Sequence, residues 1–407
     1  MNKNQFLAFV FASFLLVFIG VFATSKTAVT ENFEDNTVKV TDFFSYYISA
    51  DIFRKGQPEK IYDIPLQEEY QAQITKTRID EVLPYIYMPQ SLFFFIPLAG
   101  FSMDDAYHIW NGFSIICTIL LLYLLFLAGI CQSPISIIVA GALIALAQPV
   151  AEAIGHGQPI ITMTAALFAS FLLARNKKFW AASALIIICS FKTQMMAIPA
   201  LYLLIIHGKK MWVSMISIGL AVIAICALVF GVSIWQTYID TLLHAPYTLN
   251  AFEPSHLLMA SVRPLLLSIF GAEHFEIINK IGIIIWLFSF GLATFVAILS
   301  RNQSTKVQEL GFSLIVVIAC VFSPYLFTLS LTFLIIPIGY LLKYSGKTAL
   351  YIVAIADFAL GEQAWLLPKL NPYTWVFAQF CLLCWLANLL IEARGYKECA
   401  TTQYTQK

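Results

Sequence analysis

Apolar runs of bilayer length recur between residues 6 and 391, and a single long polar stretch, residues 41–87, interrupts the series. A hydrocarbon core of about 30 Å is crossed by about 20 apolar residues in a helix, and backbone inside it must satisfy its own hydrogen bonds. Such a chain folds as a bundle of membrane helices, with its polar residues gathered near the ends. Only 12% of the 407 residues are charged, against about a quarter in a soluble domain. The expected fold class is an all-α polytopic integral membrane protein with about 12 spans and a large first external loop.

Lysine and arginine sit in small clusters at the ends of the runs, so they report topology and do not form a nucleic-acid surface. Lys3 precedes the first run, residues 6–23, and favours a cytoplasmic N-terminus. The absence of a small-x-small cleavage site before the polar stretch makes this run an uncleaved span, where a signal peptide is the competing reading. Residues 24–88 then form the external loop, with eleven acidic and seven basic residues. Residues 91–101 are apolar but too short to span, and read as an interfacial or re-entrant helix.

The remaining spans fall within residues 106–391, followed by a cytoplasmic tail, 392–407. Expected spans are 106–129, 133–151, 159–174, 211–233, 281–299, 310–324, 327–342, 348–360 and 373–391. Residues 179–206 form two short apolar halves around Ser190-Phe191-Lys192-Thr193-Gln194. This arrangement puts Arg175, Lys177, Lys178, Lys209, Lys210, Arg301, Lys306 and Lys343 on the cytoplasmic side. It leaves residues 152–158 and 234–280 outside, the latter with Asp240, His244, Glu253, His256 and Arg263.

Asp42, His156, Gln158, Lys192 and Arg263 therefore share the external side. Asp42 heads a helix in which Phe43, Tyr46, Tyr47, Ala50 and Phe53 recur at helical spacing, giving an aromatic face expected to lie on the membrane surface. Its carboxylate either caps that helix or takes a proton from a substrate. Lys192, between two apolar halves, either snorkels or meets an anionic ligand. His156, in Gly155-His156-Gly157-Gln158, is either a loop-tip residue or a catalyst, and Asp104-Asp105 either cap the next helix or form half of a metal site.

None of the eight cysteines lies in the long polar stretch, which excludes a disulfide framework there, and Cys381-x-x-Cys384 reads as packing residues on an apolar helix. No glycine-rich phosphate loop is present. A secondary transporter would show paired halves, whereas the large loop here is unpaired. A lipid-linked glycan ligase or polymerase would usually carry its large loop late.

Several motifs in order resemble glycosyltransferase family 87. They are an early external Asp42-Phe43 with aromatics after it, Gly56 with Ile61-Tyr62-Asp63, and Tyr85-Ile86-Tyr87-Met88-Pro89. Pro97-Leu98, Trp110, Gly157-Gln158, Arg175, Lys192 and Ser261-Val262-Arg263 continue the series. The resemblance implies a GT-C fold, an active site facing away from the cytoplasm in the plasma (inner) membrane, and a polyprenyl-phosphate sugar donor, typically of mannose. It implies Asp42 as general base of an inverting transfer to a glycolipid or glycan hydroxyl. Lys192 and Arg263 would hold the donor phosphate, and Tyr46, Tyr47, Tyr87, His156 and Gln158 would line the cleft. Membrane lipids are the other partners, nucleic acid is not one, and no cofactor or metal is expected. One departure is Phe327-Thr328-Leu329, where relatives often carry a further polar residue.

Overall fold

The computed structural model describes residues 1–23, 29–32, 37–75, 83–244, 259–345 and 371–404. The first helix, α1 (Lys3–Ala23), turns Phe6, Phe11, Phe14, Phe18 and Phe22 outward and buries Ala8, Ala12 and Leu16. Those small residues let it approach its neighbours closely. A Cβ on Gly141 would lie 2.6 Å from that of Ala12, and one on Gly20 would lie 2.6 Å from Ile115 Cγ1. In lipid, where no hydrophobic drive pulls helices together, such close backbone contact is what associates them.

A short antiparallel hairpin, β1 (Val29–Asn32) and β2 (Thr37–Val40), pairs Val29 with Val40 and leads into α2 (Phe43–Arg54). The other regular elements among the described residues are helices, apart from an isolated bridge between Met259 and Phe327. After α3 (Ile64–Thr75), residues 89–100 form two 3₁₀ segments, Pro89–Phe94 and Leu98–Gly100, in place of the single helix expected over 91–101. Then follow α4 (Met103–Leu127), α5 (Pro134–Leu146), α6 (Gln148–Gly155), α7 (Ile160–Arg175), α8 (Phe179–Ile188), α9 (Thr193–His207), α10 (Lys209–Phe230) and α11 (Ile234–His244). The chain continues with α12 (Val262–Phe270), α13 (Phe275–Ser300), α14 (Thr305–Val321), α15 (Ile335–Ser345) and α16 (Asn371–Tyr404).

Six of the described helical stretches are long and apolar enough to cross a bilayer, and seven if α5 and α6 count as one span bent by 56°. The bend falls at Ala147, just before Pro149, which has no N–H to give the carbonyl of Ala145. The larger sequence count included α7 and α14, apolar helices of 16 and 17 residues, which are shorter than the about 20 residues that cross a bilayer. The expected span 348–360 lies outside the described residues.

The aromatic face of α2 does not lie on a membrane surface. Phe43, Tyr46 and Ala50 are fully buried, and so are Phe44, Ile48 and Ile52 on its other sides. A helix that is apolar all round belongs inside the protein, and the sequence has a large apolar residue at almost every rotation of this one.

Helices α4, α7 and α14 run between two poles. At one pole lie the starts of α4 and α7 and the end of α14; at the other, roughly 24 Å away along α7 at 1.5 Å per residue, lie Arg175, Glu309 and Lys343. The N-terminus belongs to this second pole, where Gln5 Nε2 donates to the Gln132 carbonyl at 2.7 Å. Glu309 is fully buried there, bound by Arg175 Nη1, by Lys343 Nζ at 2.7 Å and by the Tyr344 hydroxyl. Lys343 also donates to the Ala128 carbonyl at 2.9 Å, so one carboxylate ties together α7, α14, α15 and the end of α4.

Candidate active site

The first pole is organised around the turn between α6 and α7. Gly157 sits at φ +64°, a left-handed conformation, and a Cβ on it would lie 2.6 Å from Phe43 Cβ. Glycine is the residue that meets both demands. The Tyr107 hydroxyl donates to the Gly155 carbonyl at 2.6 Å, Trp110 Nε1 donates to the Gly157 carbonyl at 2.7 Å, and the Phe43 N–H donates to the His156 carbonyl at 3.1 Å. The turn is thereby fixed to the starts of α4 and α2.

This places His156 Nδ1 3.4 Å from Asp42 Oδ2, an ion pair when the imidazole is protonated. Asp42 occupies the N-cap position of α2, yet its backbone is helical (φ −57°, ψ −27°) and its carboxylate caps nothing. Of the two sequence readings for Asp42, capping is the one the geometry excludes. The carboxylate is 28% exposed. Burial raises its pKa, but His156, then Lys192 and Gln158, outweigh that and hold it below the ordinary aspartate range. It is ionised and accessible.

Beside it stands a column of rings. Tyr46 is stacked between Tyr87, at 4.6 Å between centroids, and Phe95, at 4.5 Å. Its hydroxyl donates to Gln158 Oε1 at 3.2 Å, and Gln158 Nε2 reaches the Tyr87 hydroxyl at 3.5 Å. Burial and the neighbouring Asp42 push the Tyr87 phenol up to about 12, so both tyrosines stay neutral. Tyr47 is committed elsewhere, its hydroxyl donating to the Phe101 carbonyl at 2.8 Å.

Lys192 lies in the connection just before α9 and makes no ion pair among the described residues. Its Nζ is 6.0 Å from the centre of the Tyr87 ring and 5.9 Å from that of Phe327. Burial pushes the ammonium down to about 8, against the pull of Asp42. Arg263 joins the same region through the segment holding Phe327. Met259 bridges to Phe327, the Ala260 N–H donates to the Leu326 carbonyl at 2.7 Å, and the guanidinium lies 4.5 Å over the Tyr325 ring.

Asp51 and Asp63 of the first loop are engaged apart from this group. Asp51 pairs with Lys55 at 2.8 Å, and Asp63 Oδ1 accepts from the Leu66 N–H at 3.1 Å. Asp105 belongs to the cap of α4, where the Ser102 hydroxyl accepts from its N–H at 3.2 Å and donates to its Oδ2 at 2.6 Å. Sequence reasoning missed Glu152, which accepts from Thr328 Oγ1 at 3.1 Å and Gln148 Nε2 at 2.6 Å. It also missed that the aromatic residues 325 and 327 lie beneath the two cations. Glu253 and His256 lie outside the described residues.

Fold and site together define a polytopic membrane protein with an ionised carboxylate, two cations and a ring column collected at one pole. Residues 85–324 match glycosyltransferase family 87, more than half of the chain, and the protein belongs to that family of membrane glycosyltransferases. No curated protein matches it. The matched stretch holds Tyr87, His156, Gln158, Lys192 and Arg263, while Asp42 precedes it.

Proposed function

We propose that the protein transfers a hexose, mannose by the resemblance above, from a polyprenyl-phosphate donor to a hydroxyl of a glycolipid or glycan acceptor, with inversion. The observation that carries this reading is a carboxylate that caps nothing and is held ionised by His156, Lys192 and Gln158, at the pole that also carries Arg263. In the transfer Asp42 takes the acceptor's hydroxyl proton as the oxygen bonds the anomeric carbon. The bond from that carbon to the phosphate oxygen breaks, and its electron pair leaves on the lipid phosphate. A base in reach and positive charge where negative charge develops are what this step demands.

Lys192 and Arg263 hold the phosphate, and Tyr46, Tyr87 and Gln158 shape the sugar cleft. Tyr47 buttresses the wall behind Tyr46. The basic residues of the opposite pole, with the positive-inside rule, support an external site and cytoplasmic termini in the plasma (inner) membrane; the count of about twelve crossings rests on the apolar runs of the sequence alone. The test is purified Asp42→Asn in vesicles, given a radiolabelled polyprenyl-phosphate hexose and membrane lipid extract. Transfer at the wild-type rate would remove Asp42 from the reaction.

A further inference from the structure

The phosphate end of the site is built more fully than one lysine and one arginine require. Arg263 is 2% exposed, its Nε donates to Asn279 Oδ1, and its stem lies against Gly282, where a Cβ would be 3.1 Å from Arg263 Cδ. Its Nη1 and Nη2 are buried without a hydrogen-bond partner among the described residues. A buried, unpaired guanidinium is strongly unfavourable unless an anion meets it.

The same place holds the start of α12. Ser261 is its N-cap, fully buried, yet its hydroxyl caps nothing and has no hydrogen-bond partner among the described residues. The first N–H groups of a helix have no intrahelical acceptor and favour an anion. This start is held from two sides. The Ala260 N–H donates to the Leu326 carbonyl at 2.7 Å, and Gln379 Nε2 of α16 donates to the Ala260 carbonyl at 2.6 Å. Gln379 lies beyond the stretch matched to the family.

We propose that Ser261, Arg263 and the start of α12 form, with Lys192, a seat matched to a phosphate dianion, so that the lipid phosphate product binds more tightly than the sugar donor. This rests on the reading that the donor is a lipid phosphate ester. Such a donor is a diester with one negative charge and two free oxygens; its leaving group is a monoester with two charges and three oxygens. As the glycosidic electron pair moves to the phosphate, Asp42 gains the acceptor's proton and loses its own charge. The negative charge thus passes from Asp42, whose field Lys192 feels without pairing with it, to the phosphate. Two cations and a free hydroxyl suit the dianion, and interactions stronger after bond breaking than before it favour the transfer.

The test is calorimetric binding at pH 7 to protein in nanodiscs, using a short-chain isoprenyl phosphate and its methyl diester. At that pH a phosphate monoester, with its second pKa near 6, is mostly dianionic. The wild type should prefer the monoester by about tenfold or more, the range by which a nearby cation shifts a protonation equilibrium. Arg263→Gln should bring that ratio towards one, Arg263→Lys should keep part of it, and Ser261→Ala should lower it to an intermediate value. Equal binding of the two lipids by the wild type, or a ratio unchanged in Arg263→Gln, would overturn the proposal. If neither lipid binds but inorganic phosphate does, in an Arg263-dependent way, the anion seat stands and the lipid-phosphate donor reading falls. If inorganic phosphate shows no such dependence either, the seat falls too.

Discussion

The two poles hold the same chemical groups in opposite balance. At one, Glu309 is saturated by Arg175, Lys343 and Tyr344, and its charge never meets solvent. At the other, among the described residues, Lys192 has no ion-pair partner and two nitrogens of Arg263 have no hydrogen-bond partner, while Asp42 is partly exposed beside His156. Saturated charge fixes the bundle. Charge left short of partners is held ready for something that arrives, and the scaffold must keep it in place meanwhile.

The comparison breaks most sharply at Asp42. Asp42→Asn should cost about 100- to 10,000-fold in transfer rate, the usual worth of a positioned base, with thermal stability nearly unchanged because the carboxylate caps nothing. Rate and melting temperature measured on one preparation decide it; a large loss of stability would make the residue structural. The converse holds at the other pole. Glu309→Gln leaves Arg175 and Lys343, both partly exposed, short of a counter-charge, and should destabilise by about 1–3 kcal/mol in reversible unfolding in detergent. Activity per folded molecule should survive, and a rate collapse in fully folded protein would contradict the division of labour.

The pH profile sharpens the contrast. Asp42 must be ionised to act, and its pKa lies below the ordinary carboxylate value, so kcat/KM should fall on the acid side only below that range. Lys192 must be protonated to hold the phosphate, so the alkaline limb should lie near pH 8. His156→Ala removes the chief influence lowering the Asp42 pKa and should move the acid limb upward; Lys192→Arg should move the alkaline limb out. Limbs that stayed still in both variants would assign the profile to other groups. The smallest effect belongs to Tyr47, which differs from its neighbour Tyr46 only in where its hydroxyl goes. Tyr47→Phe should cost about 1 kcal/mol of stability with little change in transfer, whereas Tyr46→Phe, which frees Gln158, should lower transfer at similar stability.

Helices such as α1, α4 and α13 were legible because an unbroken apolar run of 20 or more residues has few other solutions. The clustering of Asp42, His156, Gln158 and Lys192 followed from topology alone. Their pairing did not, since Tyr46 and Gln158 are 112 residues apart and Arg175 and Glu309 are 134 apart. Helix α2 was misread as a surface helix because its aromatic stripe drew attention away from Phe44, Ile48 and Ile52 on the other sides. The fate of the Asp42 carboxylate turned on a backbone dihedral, which no residue type specifies. The rings at 325 and 327 carried no signal of the cations above them, because an aromatic residue in an apolar run looks like core.

The contact of Phe43 with Gly157 also dictates an order of assembly. Asp42 is synthesised more than a hundred residues before His156, a delay on the order of ten seconds at ordinary elongation rates. Until His156 is made α2 lacks the turn that receives its first N–H, although α4, which carries Tyr107 and Trp110, is already complete. The most apolar helix of the first loop must wait for its partners, exposed to chaperones and proteases. A nascent chain halted before α7 would therefore present a degradation signal that the finished protein hides.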